Sequence, residues 1–467
     1  MTFSSIHKTG RFMLVLVLPV LLITASCNKY LDKKPSDGLL VPSTLADLQA
    51  IVDNQRGCTM VPRWLELPGD NYFLPTAIYN SRNEEIRRNY IWDGGIEASF
   101  STEVPAVWGN PYMVIYESNL VLEYLPKVTV KESEAEKYRS VQGHAYFQRG
   151  FMFFSLAQLY CPAYSATAST DMGLPLRLGT GTSDKVPRAS VEATYRQIIA
   201  DLEKAAELLP DVQIVPMRPN KAAAYAALAR TYLSMRDYVN AGLNADKSLV
   251  IQSTLLDYNM LDPAAGMNTL STALNNPEIS FVAAVNFNGV FDEAPAARVD
   301  TVLYQAFHNN DLRKTINYIS DGGAYHVWRG NLWSGNLYPG MISPGFATDE
   351  MWLTRAECRA RNADVSGAMS DLNTLLRKRW RTGTFTDMTA TSAADALSKV
   401  LMERRKSLAF RGMRWTDLRR FNLEGANITL KRIVNNITYT LPPNDLRWTL
   451  LIPNREILAS GLPQNPR

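Results

Sequence analysis

The chain has 467 residues, of which 46% are hydrophobic and 20% are charged, and its formal net charge is +4. This length is sufficient for one large domain or two modest domains with a hydrophobic core, and the near-neutral charge gives no reason to expect nucleic-acid binding. The four cysteines are too sparse and irregular for a disulfide framework. We expect buried free thiols, with a bridge between Cys58 and Cys161 as the alternative.

The N-terminus carries the features of an export signal. Lys8 and Arg11 precede an apolar run over residues 12–23, and small residues then lead to Cys27. This pattern is typical of a secretory signal, here predicted over residues 1–26, and the apolar run is too short for a comfortable membrane span. A cysteine directly after small residues predicts lipidation of Cys27, as in bacterial lipoproteins. Ordinary cleavage that leaves Cys27 unmodified is the alternative.

The stretch over residues 220–251 predicts two short helices that are antiparallel and joined by a turn. Small side chains at Ala229 and Ala241 allow the helices to approach closely, while Tyr232 and Tyr238 fill the space beside them. This spacing is the packing signature of a tetratricopeptide repeat, although the tryptophan of the usual first helix is missing.

Two further copies of this pattern extend the repeat region. Ala157 and Tyr160 reproduce the first spacing, with a second helix that resumes only near Tyr195, and Ala356 and Ala368 take the small positions of the third copy. We therefore predict an all-α-dominated fold with a right-handed scaffold of the tetratricopeptide-repeat type. The predicted repeats are residues 111–160 with 193–251, and 349–421; the predicted loop-rich insertions are 58–110, 161–192 and 281–347.

The sequence carries no recognised arrangement of catalytic or metal-ligating residues. Its four histidines are scattered, and it lacks a Gly-x-Ser-x-Gly elbow, a His-Glu-x-x-His motif, a phosphate loop and a Cys-x-x-Cys motif. The adjacent carboxylates Glu84-Glu85 and Asp349-Glu350 are typical of a solvated surface. The motifs therefore give no support for an enzyme, and we expect no cofactor and no catalytic metal; a structural metal ion stays open.

Aromatic residues beside polar residues are concentrated in the predicted insertions. Tryptophan and tyrosine planes stack on the C–H face of sugar rings, and neighbouring Asn, Asp and Arg side chains bind the hydroxyl groups. The predicted ligand-binding residues are Asp70, Asn71, Tyr72, Trp92, Tyr325, Trp328, Arg329 and Trp333. The alternative for each ring is that it pins its loop to the helices. Trp108 and Trp415 lie next to or within predicted helices and are assigned to the core.

Short motifs spread along the chain point to a known family. They are Cys27-Asn28-Lys29-Tyr30-Leu31, Gly143-His144-Ala145-Tyr146-Phe147, Gly173-Leu174-Pro175-Leu176, Glu403-Arg404-Arg405, Asp417-Leu418-Arg419-Arg420 and Ile452-Pro453. In this order they resemble the SusD/RagB family of outer-membrane nutrient-binding lipoproteins over essentially the whole chain. The sequence departs from that family at Ser407 and Arg411, where Glu is usual, and at Met413, where His is usual. We expect these three positions to be structural.

The resemblance implies a binding protein in place of an enzyme. It implies a lipid-anchored protein on the exterior of the outer membrane, which binds oligosaccharides and delivers them to a partner SusC-type TonB-dependent transporter. The binding regions of the family share no motif, so the resemblance does not identify the ligand of this protein. The alternatives are the same fold binding peptides for uptake, or a helical-repeat scaffold without a transported ligand.

Overall fold

The computed structural model describes residues 42–54, 56, 61–93, 104–181, 183–262, 276–283, 297–328 and 345–467. Residues from Thr44 onwards form one compact unit. None of the helices in these ranges combines the length and apolar character that a bilayer span requires. The predicted signal and Cys27 lie outside the described residues.

Helices dominate the described part of the chain, and the predicted all-α-dominated fold class is confirmed. In chain order the α-helices are α1 Leu45–Val52, α2 Thr76–Ser81, α3 Glu84–Tyr90, α4 Val104–Tyr124, α5 Ala135–Tyr160, α6 Val191–Leu208, α7 Lys221–Met235, α8 Tyr238–Ile251, α9 Thr301–Gln305, α10 Arg313–Ile316, α11 Thr348–Arg361, α12 Val365–Arg377, α13 Ala393–Leu408, α14 Arg414–Leu423 and α15 Asn454–Ser460.

Short strands pair in twos and join loop segments to one another. They are β1 Tyr72–Phe73, β2 Met172–Pro175, β3 Arg188–Ser190, β4 Ile279–Phe281, β5 Arg298–Val299, β6 Tyr318–Ser320, β7 His326–Trp328, β8 Phe346–Ala347, β9 Leu430–Val434 and β10 Ile437–Leu441. The antiparallel pairs are β1–β5, β2–β3, β4–β8, β6–β7 and β9–β10. Two of them, β1–β5 and β4–β8, connect segments that are distant in sequence.

Helices α7 and α8 pair through small residues, as the repeat pattern predicts. Ala229 and Ala241 are both fully buried. Tyr232 and Tyr238 pack against a buried cluster that contains Ala241 and Cys358 of α11. This arrangement is consistent with tetratricopeptide-repeat packing, in which each helix pair buries its face against the next.

Side-chain caps and one left-handed residue set the limits of these two helices. The Asn220 side chain accepts a hydrogen bond from the N–H of Ala223 at 2.8 Å, and the Asp237 side chain accepts one from the N–H of Asn240 at 3.0 Å. Between them Arg236 has a φ of 64°, which ends α7 and turns the chain into α8.

Glycines allow a close approach of α5 and α6. A Cβ atom at Gly143 would lie 2.9 Å from Cγ of Leu209, and one at Gly150 would lie 3.1 Å from Cβ of Asp201. Arg149 then bridges the helices, because its Nε and Nη2 atoms donate to the Asp201 carboxylate at 2.9 and 2.6 Å. The chain between the two helices forms the β2–β3 pair.

Aromatic rings fill the centre of the largest buried cluster. Phe147 and Phe151 of α5 meet Phe281 of β4 and Phe346 of β8, with ring centroids 4.8–6.1 Å apart. Edge-to-face pairs at this separation add to the stabilisation from apolar burial. The predicted core positions of Trp108 and Trp415 are confirmed, since both side chains are buried.

The two cysteines in the described ranges, Cys161 and Cys358, are buried free thiols, as predicted. Burial raises the pKa of each thiol to about 12, so both stay protonated near neutral pH. Cys58, the alternative bridge partner, lies outside the described residues.

Ala229→Trp is expected to destabilise the fold, because an indole ring cannot enter the contact between α7 and α8 without moving both helices. We expect the free energy of unfolding from chemical denaturation to fall by at least about 1–3 kcal/mol. Ala166→Trp is the control, since Ala166 is exposed, whereas nearby Ala168 is 3% exposed and unsuitable. Equal destabilisation by both substitutions would contradict the repeat packing.

Candidate functional site

The predicted ligand-binding residues come from two insertions that the structure brings together. Strand β1 pairs with β5 in the register Tyr72↔Val299 and Phe73↔Arg298. Nε of Arg298 donates to the Asp321 carboxylate at 2.7 Å, which ties β5 to the β6–β7 hairpin. The two insertions therefore meet at the β1–β5 pair.

Asp70 is engaged by arginines of the helical scaffold. Its two carboxylate oxygens accept hydrogen bonds from Nε and Nη2 of Arg414 at 2.6 and 2.9 Å, and Nη2 of Arg405 lies 3.5 Å away. Burial alone would raise the pKa of Asp70, but the two guanidinium groups hold this pKa below its usual range. With 25% of its side chain exposed, Asp70 serves mainly to attach its loop to α14 and α13.

Asn71 is buried, and both polar atoms of its side-chain amide form hydrogen bonds. Its Nδ2 atom donates to Glu66 at 2.8 Å, and its Oδ1 atom accepts from Nε of Arg405 at 3.3 Å. The second carboxylate oxygen of Glu66 accepts from the N–H of Gly412 at 2.9 Å. Burial raises the pKa of Glu66 to about 7 against these hydrogen bonds. The predicted ligand role of Asn71 is corrected to a structural one.

Tyr72 and Trp92 also belong to the core, at 1% and 4% exposure. The Tyr72 hydroxyl donates to the carbonyl of Leu67 at 2.7 Å, and Nε1 of Trp92 donates to the carbonyl of Pro68 at 3.0 Å. The Arg432 guanidinium lies 5.1 and 5.2 Å from the two ring centroids. Neither ring offers a face to solvent, so their predicted platform role is corrected to that of loop anchors.

Tyr325 and Trp328 remain at the surface of the β6–β7 hairpin. Tyr325 is 41% exposed and meets Phe73 edge-on, with centroids 5.1 Å apart. Trp328 is half-buried and stacks on Phe410 at 5.4 Å with an interplanar angle of 23°. The other two predicted residues of this cluster, which lie outside the described ranges, are Arg329 and Trp333.

Two surface rings beside this hairpin were missed from the sequence. Tyr304 of α9 stacks on His326 at 3.5 Å with an angle of 16°, and Phe73 of β1 contacts Tyr325. No local sequence signal marks these residues, because strand pairing and loop packing bring them to the hairpin. We call the following set the β7 aromatic surface: Phe73, Tyr304, Tyr325, His326 and Trp328.

The β7 aromatic surface is suited to stacking. Its members are half-buried or exposed, so they combine ring faces at the surface with firm support beneath. Asp321 at the hairpin turn is engaged by Arg298 and by the N–H of Gly323 at 2.8 Å, and it holds the turn in shape. Within the part of the chain that the structure describes, no cluster of His, Cys, Asp or Glu could hold a metal ion.

Sequence comparison connects both halves of the chain to one family. Residues 29–233 match a SusD-like family model described as starch-binding and associating with the outer membrane, and residues 348–451 match the SusD family model. A SusD-like protein P2 of Formosa agariphila is 28% identical over 239 residues, which are 48% of this chain. The match spans 44% of that relative, less than half of its length.

Solved structures share the fold over most of this chain. A putative sugar-binding protein of Bacteroides vulgatus superposes with a TM-score of 0.73 at 21% identity, covering 92% of this chain and 99% of the other. A laminarin-binding SusD-like protein superposes with a TM-score of 0.65 at 18% identity, covering 90% and 98%. At these identities the similarity establishes the fold.

Asp70→Asn should weaken the attachment of the first insertion, because Arg414 and Arg405 lose a shared counter-charge. We expect the free energy of unfolding at pH 7 to fall by about 1–3 kcal/mol, less than for a fully buried pair because Asp70 is partly exposed. The folded pKa of Asp70 lies below its ordinary 3.8, so this stabilisation is present above that pH. The difference in the free energy of unfolding between wild type and Asp70→Asn should therefore shrink as the pH falls below 3.8.

The control for this prediction is Glu207→Gln. Glu207 pairs with Lys204 at 2.8 Å, but the two side chains are 60% and 58% exposed, so we expect little change in stability. Asp70→Asn with wild-type stability would contradict the structural role and restore Asp70 as a ligand candidate.

Proposed function

This chain belongs to the SusD family, and we propose that it is a surface-exposed outer-membrane lipoprotein that binds oligosaccharides and passes them to a SusC-type TonB-dependent transporter. The family model for residues 29–233 is described as starch-binding and associating with the outer membrane. Binding in place of catalysis is further supported by the sequence, which lacks recognised catalytic motifs.

The β7 aromatic surface is the observation that carries this proposal. Tyr325 is the most exposed of its rings, and Trp328 lies three residues further along the same hairpin. An extended glycan would lie across these rings, with the C–H faces of its sugars against the aromatic planes. Arg329 follows Trp328 directly and Trp333 comes five residues after it, and we propose them as a polar contact and a second stacking platform of the same site.

Because the β7 aromatic surface is open to solvent, we expect its affinity for a glycan to be low. Such a surface stays partly hydrated, and the ligand must give up conformational freedom to lie along it. We therefore expect micromolar or weaker binding, which corresponds to about −8 kcal/mol or less favourable. Weak binding suits a protein that must release its ligand to a transporter.

Attachment to the membrane is proposed through Cys27. The apolar run over residues 12–23 and the small residues before Cys27 support cleavage and lipidation at this position. The polar stretch over residues 28–38 would then link the lipid to the folded unit that starts at Thr44.

Tyr325→Ala is expected to weaken oligosaccharide binding at least tenfold in calorimetric titration, because a stacking platform is removed. The melting temperature should change little, since the Tyr325 side chain is 41% exposed. Trp328→Ala and Trp333→Ala should also weaken binding, and Trp328→Ala should lower the melting temperature through the lost contact with Phe410. Val250→Ala, at an 80% exposed aliphatic position on α8, is the control.

The titrations use a panel of neutral and charged oligosaccharides together with a panel of peptides. Full affinity for oligosaccharides in all three aromatic variants would refute the proposed surface. Binding of peptides alone would favour the peptide-uptake alternative.

Cys27→Ala is expected to move the protein from the membrane fraction to the soluble fraction of cells that express it. The several acyl chains of a bacterial lipoprotein hold firmly, whereas an unmodified chain has no anchor of this kind. Fractionation combined with metabolic labelling by a fatty acid measures both effects. Membrane partition and label that persist in the variant would contradict lipidation at Cys27.

A further inference from the structure

A cleft of about 260 Å³ lies beside helix α4, apart from the β7 aromatic surface. Its walls come from α4, from the loop after β2 and from α15. The lining residues that carry chemistry are Trp108, Tyr112, Tyr116, Arg177 and Glu456. None of them belongs to the β7 aromatic surface. We propose that this cleft, here called the α4 cleft, is a second binding site that takes one or two sugar rings of a neutral saccharide.

The walls of the α4 cleft are fixed by hydrogen bonds. Nδ2 of Asn119 donates to the carbonyls of Arg177 and Gly179 at 2.9 and 3.1 Å and so holds the loop against α4. Oδ1 of Asn119 accepts from Nη1 of Arg149 at 2.8 Å. The Tyr112 hydroxyl donates to the carbonyl of Pro175 at 3.0 Å. A cleft held in this way is formed before any ligand arrives, which reduces the cost of binding.

Three aromatic residues follow one another along the α4 wall. Trp108, Tyr112 and Tyr116 are spaced by four residues, which places them on one face of the helix. Trp108 packs edge-on against Tyr160 at 4.9 Å and lies 5.0 Å from Tyr112, so the inner rings are supported by the core. Tyr116 is 37% exposed and lines the outer part of the cleft. The inner part of the cleft is therefore lined by apolar ring faces, and its outer part is accessible to water.

Two opposite charges face this aromatic wall. Arg177 and Glu456 both line the cleft, and no described residue forms a hydrogen bond or ion pair with the charged group of either side chain. Both groups act on Tyr112. Burial raises the pKa of the Tyr112 hydroxyl, Glu456 raises it further and Arg177 opposes that increase. A donor and an acceptor are thus available to a ligand in the same cavity.

This pair of charges selects the class of ligand. A hydroxyl group both donates and accepts, so neighbouring hydroxyls of a neutral sugar can satisfy Arg177 and Glu456 together. An acidic sugar would be attracted by Arg177 but repelled by Glu456, and an amino sugar the reverse, so neither charged sugar gains from both groups. The volume lies just below about 300 Å³, the lower end for drug-sized ligands, and so suits one or two rings.

The inference rests on the proposed carbohydrate-binding function and is tested by saturation-transfer NMR on the full-length protein. The probes are glucose, galactose and mannose, with glucuronic acid and glucosamine as charged counterparts of glucose. We expect at least one neutral hexose to bind and to do so better than both charged sugars. Tyr116→Ala and Arg177→Ala should each weaken that binding at least tenfold, with an unchanged melting temperature. Met113→Ala is the control, since Met113 is 43% exposed on α4 and does not line the cleft.

Glu456→Gln is expected to improve the binding of glucuronic acid. A purely structural role of Glu456 would not produce this gain. The substitution removes the negative charge and keeps an acceptor, so Arg177 is left to attract an acidic sugar. We expect glucuronic acid to bind this variant at least several-fold more tightly than wild type. Unchanged glucuronic acid binding would overturn the assignment of Arg177 and Glu456.

Failure of this inference is distinguishable from failure of the proposed function. Oligosaccharide binding that depends on Tyr325, without hexose binding sensitive to Tyr116 and Arg177, would overturn the α4 cleft alone. Absence of all saccharide binding would overturn both. Hexose binding that survives Tyr116→Ala and Arg177→Ala would place the sugar elsewhere and also reject the cleft.

Discussion

Buried and partly buried ion pairs between arginines and carboxylates attach the loop segments to the helical scaffold, and the candidate surface depends on them. Asp70 of the first insertion binds Arg414, and in the second insertion Arg313 binds Asp311 and Glu403 of α13 at 2.6 Å each. Loss of one partner leaves a buried charge without compensation, which costs about 3–5 kcal/mol in fully buried pairs. Each pair therefore fixes one geometry of its loop, and the exposed rings take their positions from that geometry.

The helices could be predicted from the sequence, whereas the structural role of Asn71 could not. The small residues Ala229 and Ala241 were predicted from a contact between neighbouring helices, and both are buried as that pattern predicts. Asn71 is different, because its partner Arg405 lies 334 residues away. A polar residue beside an aromatic one has the same local pattern whether it meets a ligand or a distant arginine. Tyr304 was missed for the complementary reason, since only the folded chain places it on His326.

Positions where the chain departs from its family are built into the same network. Ser407 accepts a hydrogen bond from Nη1 of Arg313 at 2.7 Å, and Arg411 donates to both oxygens of Asp349 at 2.8 and 2.9 Å. Met413 is 5% exposed in the apolar cluster of α11, α12 and α13. The family's usual Glu is not needed at position 407, because Asp311 and Glu403 already balance the positive charge of Arg313 and the Ser407 hydroxyl only has to accept a hydrogen bond. The expectation that these positions are structural agrees with their burial and partners.

The β1–β5 pair has a consequence for how the protein folds. It closes a loop of more than two hundred residues between Phe73 and Arg298, and pairing over such a sequence separation costs more chain entropy than local helix contacts do. Neither Tyr325 nor Phe73 completes the surface without the other. A chain that ended before Arg298 would lack this strand pair together with helices α11, α12, α13 and α14, so the β7 aromatic surface could not form. We therefore expect the β7 aromatic surface to form late in folding, after the local helix contacts on either side of it.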